Sequence, residues 1–359
     1  MIYLQTLNKK QLEEFVSSGD FKKHDFLPIS EHRAKSQIKN PKADDDQPLL
    51  ILAYDDDQLA GYLGCLPDNF NIDGKTFSYA WLSTLYVSHK FRGKRIAQSL
   101  LNRAFEEYNG NIAITEFTPE AESLYNKIGV FKYIQPKNGK RFYFRTELAT
   151  IIPLKKPKTK SFQPLFSVGD RLLNAFVSLK NSLIKKPDFK FEILSAVDPE
   201  SSIFISQFHT NRTGEEIKWI MQNPWILEGQ IKEKKYLFSS FSESFRYFWI
   251  KVFDAKNNMT SCALLLERDG YVKIPYFFSA SDSDQFTDFL SYFIVKHKVK
   301  VLVSYQAELN KKLENSHHFP KIHQRNMERR YMFHEQMLQH LPDDFDPKFQ
   351  DGDGDCAMT

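Results

Sequence analysis

The sequence predicts a mixed α/β fold laid out twice in tandem. Three observations point there. The chain has 359 residues, more than one average domain needs. An order of strands and helices over residues 1–148 restarts, in similar order and spacing, at 191. Between them, 149–190 change composition and become rich in Lys and Pro.

The first half reads in order. Residues 10–17 and 29–39 carry short helical patterns of mixed polarity. "PLLILAY" (48–54) and "LAGYLGCLP" (59–67) are apolar runs of strand length. "NIDGKTF" holds Asp73-Gly74, a hairpin turn signal, and leads into a long third strand at 77–87. A helix follows from Ile96 to Tyr108, then a strand in "NIAITEF". A short helix in "PEAESLYNKIG" ends at Gly129. "VFKYI" and "RFYFRT" are expected to close this domain near residue 148.

"PLKKPKTKSFQP" reads as a linker. Residues 165–186 form a basic amphipathic helix with Phe166, Leu172, Leu173, Phe176, Leu179 and Leu183 on one face. Such a helix suits a membrane surface. The ordinary meaning of an apolar stripe is packing, and a helix buried across the two domains is the expectation.

From 191, "FEILSA" is a strand, "IFISQFHT" and "EEIKWIMQNPW" are helical, and "RYFWIKVF", "SCALLLER" and "YVKIPYFFSA" are three strands. "DQFTDFLSYFIVKH" is a helix, "KVLVSYQ" a strand, "AELNKKLEN" a helix and "RRYMFH" a last strand. Residues 191–340 are thus a second domain, and 341–359 an acidic tail.

Apolar residues make up 42% of the chain, with 32 Phe and 16 Tyr, enough for packed cores. The formal charge of +4 gives no global reason to bind nucleic acid. Cys65, Cys262 and Cys356 are too scattered for a disulfide framework or a zinc site. No stretch reaches the ~20 apolar residues of a membrane span, and the start lacks a signal-peptide core. A cytoplasmic protein without metal is expected.

Chemistry first shows in "LYVSHKFRGKRIAQSLL" (85–101). A strand here hands over to a helix through Arg92, Gly93, Lys94 and Arg95. The first amides of a helix lack internal partners and the dipole makes that end positive, so it suits phosphate oxygens. Gly93 permits close approach, and the cations add charge. A solvated basic turn would look the same on these residues alone.

The stretch resembles the acyl-CoA-binding motif of the GNAT acyltransferase superfamily: Arg or Gln, two residues, Gly, one residue, then Gly or Ala. Arg92 and Ala97 take the first and last positions, and Arg95 replaces the internal Gly. An Arg there would carry strain if the family conformation needs positive φ. "TPEAESLYNKIGVFKYI" (118–134) resembles the family's second signature, with Thr118 where Asn is usual and Ala121, Leu124, Tyr125 and Gly129 matching.

The resemblance, over about residues 1–148, implies two tandem GNAT-like domains and an N-acetyltransferase that uses acetyl-CoA. It implies direct attack of a small primary amine, such as an amino sugar or amino acid derivative, on the thioester. Backbone groups of Leu85, Tyr86 and Val87 would pair with the pantetheine. Arg92, Gly93, Lys94, Arg95, Ile96 and Ala97 would hold the pyrophosphate, with Thr118 nearby. Tyr125 would protonate the leaving thiolate. Its residue pattern alone reads as core packing beside Leu124 and Ile128. Glu116, at a strand end, is the first candidate base. Ser83 and Thr84 through water, and His24, Asp25, Glu31 and His32 in the N-terminal region, are others. Two rivals stay open: a non-catalytic CoA-binding module, and a transferase of aminoacyl or longer acyl groups.

The corresponding junction of the second half carries Ser281, Asp282, Ser283 and Asp284 in place of glycine and arginines. Carboxylates would repel a pyrophosphate, so this half is expected to be a degenerate copy. "DDFDPKFQDGDGDCAMT" is expected to fray in solvent. Its Asp351, Asp353 and Asp355 begin a calcium-loop pattern that the chain does not complete. The alternative, by analogy with some tandem members of the superfamily, places Asp355 or the carboxylate of Thr359 in the active site as base.

Overall fold

The computed structural model describes every residue except Asp73, Lys232 and 281–283. The described chain groups into two compact units. The first comprises Met1–Lys137, Ala196–Phe245 and Glu328–Thr359; the second comprises Asn138–Ser195 and Arg246–Met327.

In chain order the first elements are β1 (Ile2–Leu7), α1 (Lys9–Ser17), α2 (Glu31–Ile38), β2 (Leu50–Asp55), β3 (Gln58–Ile72) and β4 (Lys75–Val87). Next come α3 (Ile96–Glu107), β5 (Ile112–Thr115), α4 (Pro119–Ile128), β6 (Phe131–Tyr133) and β7 (Lys137–Tyr143). Helices α5 (Leu148–Lys155) and α6 (Gln163–Asn181) precede β8 (Phe191–Leu194), α7 (Pro199–Ile205), α8 (Gly214–Gln222), β9 (Leu227–Glu228) and β10 (Phe241–Ser242). The rest are β11 (Phe245–Phe253), β12 (Met259–Arg268), β13 (Tyr271–Ser279), α9 (Asp284–Lys296), β14 (Val301–Ser304), α10 (Ala307–Asn315), β15 (His323–Arg329), β16 (Tyr331–His334) and α11 (Glu335–Gln339).

The first sheet runs β1-β2-β3-β4-β5-β16-β6. Its only parallel neighbours in the described register are β4 and β5, paired at Ala80↔Ile112 and Trp81↔Ala113. One face packs Leu63, Leu82, Leu100 and Ile114 beneath α3 and α4. The other packs Leu12, Leu50, Leu52 and Tyr62 beneath α1 and α2. β1 was not expected. Its residues alternate in exposure as a sheet edge does, and it pairs antiparallel with β2 from Ile2↔Asp55 to Leu7↔Leu50. The β3–β4 hairpin closes at Ile72↔Lys75 with Gly74 at φ +76°; Asp73 of the expected turn lies outside the described residues.

The second sheet runs β15-β7-β14-β13-β12-β11-β8, with β13 and β14 parallel. Its core joins Phe142, Ile250, Leu265 and Leu302 to Phe286 and Phe293 of α9.

Two strands change sheets relative to expectation. "RFYFRT" does not close the first sheet: β7 pairs with β14 through Val301↔Tyr143 to Ser304↔Lys140. "RRYMFH" does not close the second: β16 lies between β5 and β6. The compact units therefore do not follow the linear division at 148 and 191. Both segments are short aromatic-rich runs beside arginines, which makes a strand but does not name its neighbour. The amphipathic helix also differs from expectation, since Leu172, Phe176, Leu179 and Leu183 of its apolar face are exposed.

Candidate active site

Beyond Trp81↔Ala113 the described ladder between β4 and β5 stops, although β4 runs on to Val87. The reason lies within β4. Its register with β3 slips between Tyr62↔Tyr86 and Gly64↔Ser83, leaving one extra residue on β4. A bulge bends a strand and re-aims its groups. Here it sets Thr84 at φ +56°, a costly conformation for a β-branched residue. β3 makes room with two glycines. A Cβ on Gly61 would meet the Tyr86 carbonyl oxygen at 2.7 Å, and one on Gly64 the Ser83 oxygen at 2.8 Å. Across the split, Glu116 just beyond β5 is also at positive φ, +51°. Strained residues on both sides of one opening are a mark of a functional site.

Leu85 and Val87 pack towards α3, and Tyr86 points to the other face against Phe26, 5.1 Å between ring centres. Behind β4, Gly93 has φ +86° and Arg95 φ +58°, so the strain anticipated for an Arg at that position is present. Helices α1, α2 and α4 are each capped by a side chain at the N-terminus; α3 is not. Its first amides, from Ile96 and Ala97, are thus left for another acceptor. Arg92 and Arg95 are exposed. The Lys94 ammonium is hydrogen-bonded to Asp55.

Tyr125 is 4% exposed, between Phe117 and Phe131 at 6.2 and 5.4 Å. Burial pushes its hydroxyl up to about 12. Thr118 caps α4, accepting from the Ala121 amide at 3.3 Å, with Pro119 in the first turn and Gly129 at φ +84° closing the other end.

Glu116 pairs with Arg329 at 2.8 Å. The remaining base candidates fall on structural partners. Asp25 pairs with Lys90 and Glu31 with Lys35. His32 Nε2 donates to the Trp225 carbonyl at 2.7 Å, and burial lowers its pKa. His24 is likewise lowered chiefly by burial.

The C-terminal tail is not frayed. Asp351, Asp353, Cys356, Ala357 and Met358 are buried. Phe349 packs 5.0 Å from both Trp81 and Tyr331. Gly354 needs its bare Cα, since a Cβ would meet Thr115 Cγ2 at 3.0 Å and Trp81 at 3.5 Å. Two of its buried aspartates meet arginines. Asp351 pairs with Arg329 at 2.5 Å, and Asp353 accepts from Arg212 Nε at 2.8 Å. Burial works against the Arg329 charge, but Cys356, Asp351 and Glu116 outweigh it and raise its pKa well above normal. Arg212 also grips Asp68 with two nitrogens, at 3.0 and 2.6 Å, where Lys42 and Trp81 Nε1 bind as well, at 2.8 and 3.0 Å. Burial pushes the Asp68 carboxyl up, yet Arg212 and Lys42 hold it well below the usual carboxylate range.

Asp355 is thereby carried to the split, where its Oδ2 accepts from Ser83 Oγ at 2.5 Å. Ser83 also accepts from Arg33 at 3.0 Å; Arg33 bonds Tyr236 at 3.1 Å and lies 3.9 Å over the Trp225 ring. Sequence reasoning missed Arg33, Trp225, Tyr236 and Arg212, which no local pattern marks. Gly61 and Gly64, mid-strand, were the readable sign of the bulge.

In the second sheet, 281–283 of the corresponding junction lie outside the described residues. Asp284 begins α9 and pairs with Lys312 at 2.7 Å.

Residues 12–130 match the Acetyltransferase (GNAT) family. No curated protein shares significant sequence similarity with the chain. Solved structures share its fold. One is a conserved protein of unknown function from Enterococcus faecalis V583, described as a "Probable N-Acyltransferase", with TM-score 0.54, 10% identity, and 94% of this chain and 73% of that one covered. GCN5-related N-acetyltransferases from Kribbella flavida and Anabaena variabilis ATCC 29413 each reach TM-score 0.51. The first is 9% identical over 93% of this chain and 72% of its own, the second 12% over 92% and 72%. Residues 12–130 thus match the GNAT family, and the chain shares with these structures a fold of two seven-stranded mixed sheets, in the first of which a parallel pair splits at a bulge ahead of an uncapped helix.

Proposed function

We propose that the first unit transfers an acetyl group from acetyl-CoA to the primary amine of a small molecule, an amino sugar or amino acid derivative. The observation that carries this reading is the split between β4 and β5, with the uncapped α3 N-terminus at its rear and Asp355 at Ser83. The residues fit such a donor. Free amides of Ile96 and Ala97 and the exposed Arg92 and Arg95 suit a pyrophosphate, and the unladdered end of β4 offers backbone groups to an extended pantetheine. Acetyl-CoA supplies an activated thioester carbonyl.

The chain's own groups do the rest. The Leu85–Val87 backbone aligns the donor arm and can donate to a developing oxyanion. Thr118 holds α4, and so Tyr125, in place. Tyr125 keeps its proton at neutral pH because burial disfavours its phenolate, as an acid for a thiolate leaving group must. Glu116 and Asp355 both border the opening. Glu116 is engaged by Arg329 at 2.8 Å, which occupies one of its oxygens. Asp355 with Ser83 is therefore the preferred proton acceptor, and Glu116 the second. The second unit, with Asp284 opening α9, is not expected to bind CoA.

Thermal melting with acetyl-CoA, combined with CoA release over a panel of amines, tests the proposal. Protection and release with one amine class are expected. Protection without release from any amine would make the chain a CoA-binding module. Protection only by longer acyl-CoA would change the donor. Asp355→Asn should cut turnover more than Glu116→Gln; the reverse order would return the base to Glu116.

A further inference from the structure

Residues 149–190 hold eight Lys and one Arg against two Asp, a net +7, whereas the whole chain is only +4. This segment, inside the second unit, contains α5 and α6. Helix α6 is held the wrong way round for a surface helix. Three of its polar residues, Asp170, Asn174 and Asn181, face inward. Asp170 accepts from the Leu148 and Ala149 amides at 2.8 and 2.9 Å, capping α5. Asn174 accepts from the Thr146 amide at 2.9 Å and donates to its carbonyl at 3.0 Å. Asn181, two turns further on, is buried.

That anchoring turns the opposite stripe outward. Leu165, Val168, Leu172, Phe176, Leu179 and Leu183 recur every three or four residues, and each is between 50% and 82% exposed. From Leu165 to Leu179 the stripe is about 21 Å long. Exposed cations mark both ends: Lys155, Lys156, Lys158 and Lys160 before it, Lys180, Lys185 and Lys186 at its end. One of the two aspartates, Asp170, is spent on capping and leaves the outer face more positive still.

We propose that this face is a docking surface for an anionic lipid bilayer, with the stripe in the acyl–headgroup boundary and the lysines among anionic headgroups. The charge selects this occupant. A second copy would set one +7 segment against another. Protein interfaces favour Arg and deplete Lys, the reverse of this rim. Lysines whose stems lie along apolar surface while their heads reach headgroups are what an interfacial helix requires. No helix here is long and apolar enough to cross a membrane among the described residues, so the contact is peripheral.

The test is co-sedimentation of the full chain with vesicles of phosphatidylcholine alone and of phosphatidylcholine with phosphatidylglycerol. Partition onto the anionic vesicles should exceed that onto neutral ones by roughly tenfold or more and weaken with salt. Leu172→Glu with Phe176→Glu, both exposed, should keep the parent melting temperature yet lower binding by roughly tenfold or more. Lys155, Lys156, Lys158 and Lys160 changed to Gln should remove the preference for anionic lipid. The proposal is overturned if the parent stays in the supernatant with both vesicles, or if the double variant binds as the parent does. It is equally overturned if light scattering shows a dimer that the double variant splits while neither binds lipid.

Discussion

Replacing Arg212 by Leu tests the account of the C-terminal tail. Arg212 is 7% exposed and compensates two buried carboxylates, Asp68 through two bonds and Asp353 through one. Leucine would fill part of the space and leave Asp353 without this cation and Asp68 with Lys42 as its remaining ion-pair partner. Removing one partner of a buried ion pair costs about 3–5 kcal/mol. For a unit of roughly 200 residues, each kcal/mol lowers the melting temperature by about 2–4 °C, so a fall of about 6–20 °C is expected. Circular dichroism melts would read it, and proteolysis of the tail should speed up as its anchor goes. Arg212→Lys keeps a charge but loses the fork and should fall in between. The sign with pH is fixed. Asp68 has a depressed pKa, so its contribution is complete above the ordinary carboxylate range and is lost as pH falls towards the folded-state value. The parent should therefore lose stability in acid more steeply than Arg212→Leu. A Leu variant that melts within about 2 °C of the parent, with the same acid slope, would show that the network does not hold the tail.

Tyr125→Phe should lower kcat by about 10²-fold or more while leaving KM for acetyl-CoA unchanged, measured by CoA release. An unchanged kcat would leave Tyr125 a packing residue. Because burial raises this hydroxyl to about 12, its deprotonation should produce no descending limb in the kcat–pH profile below about pH 10; such a limb, lost in Tyr125→Phe, would contradict the assignment. Arg95→Gly removes a side chain from φ +58°, so it should raise stability by about 1 kcal/mol in a denaturant titration while raising KM for acetyl-CoA. A loss of both would mean that the guanidinium braces the loop instead of meeting the donor.

The succession of strands and helices was legible because each rests on local signals: apolar runs, Pro119 and Gly129 around α4, the mid-chain hairpin. So was the corner between Val87 and Ile96, since a glycine among cations ahead of an amphipathic helix is itself local. The order of the strands was not. β7 and β16 both lie in short aromatic-rich runs, and only the tertiary fold decides that the first joins β14 and the second enters beside β5. The tail shows the same division. An aspartate-rich terminus reads as solvated until Arg212 and Arg329, 141 and 22 residues from the aspartates they bind, turn it inward. For α6 the sequence determined that there is an apolar stripe and a basic surround; which side faces water was set by Asp170 and Asn174 bonding the backbone at 146–149. Periodicity within a segment is written in neighbouring residues, whereas charge compensation and sheet order depend on residues that meet only after the chain has folded.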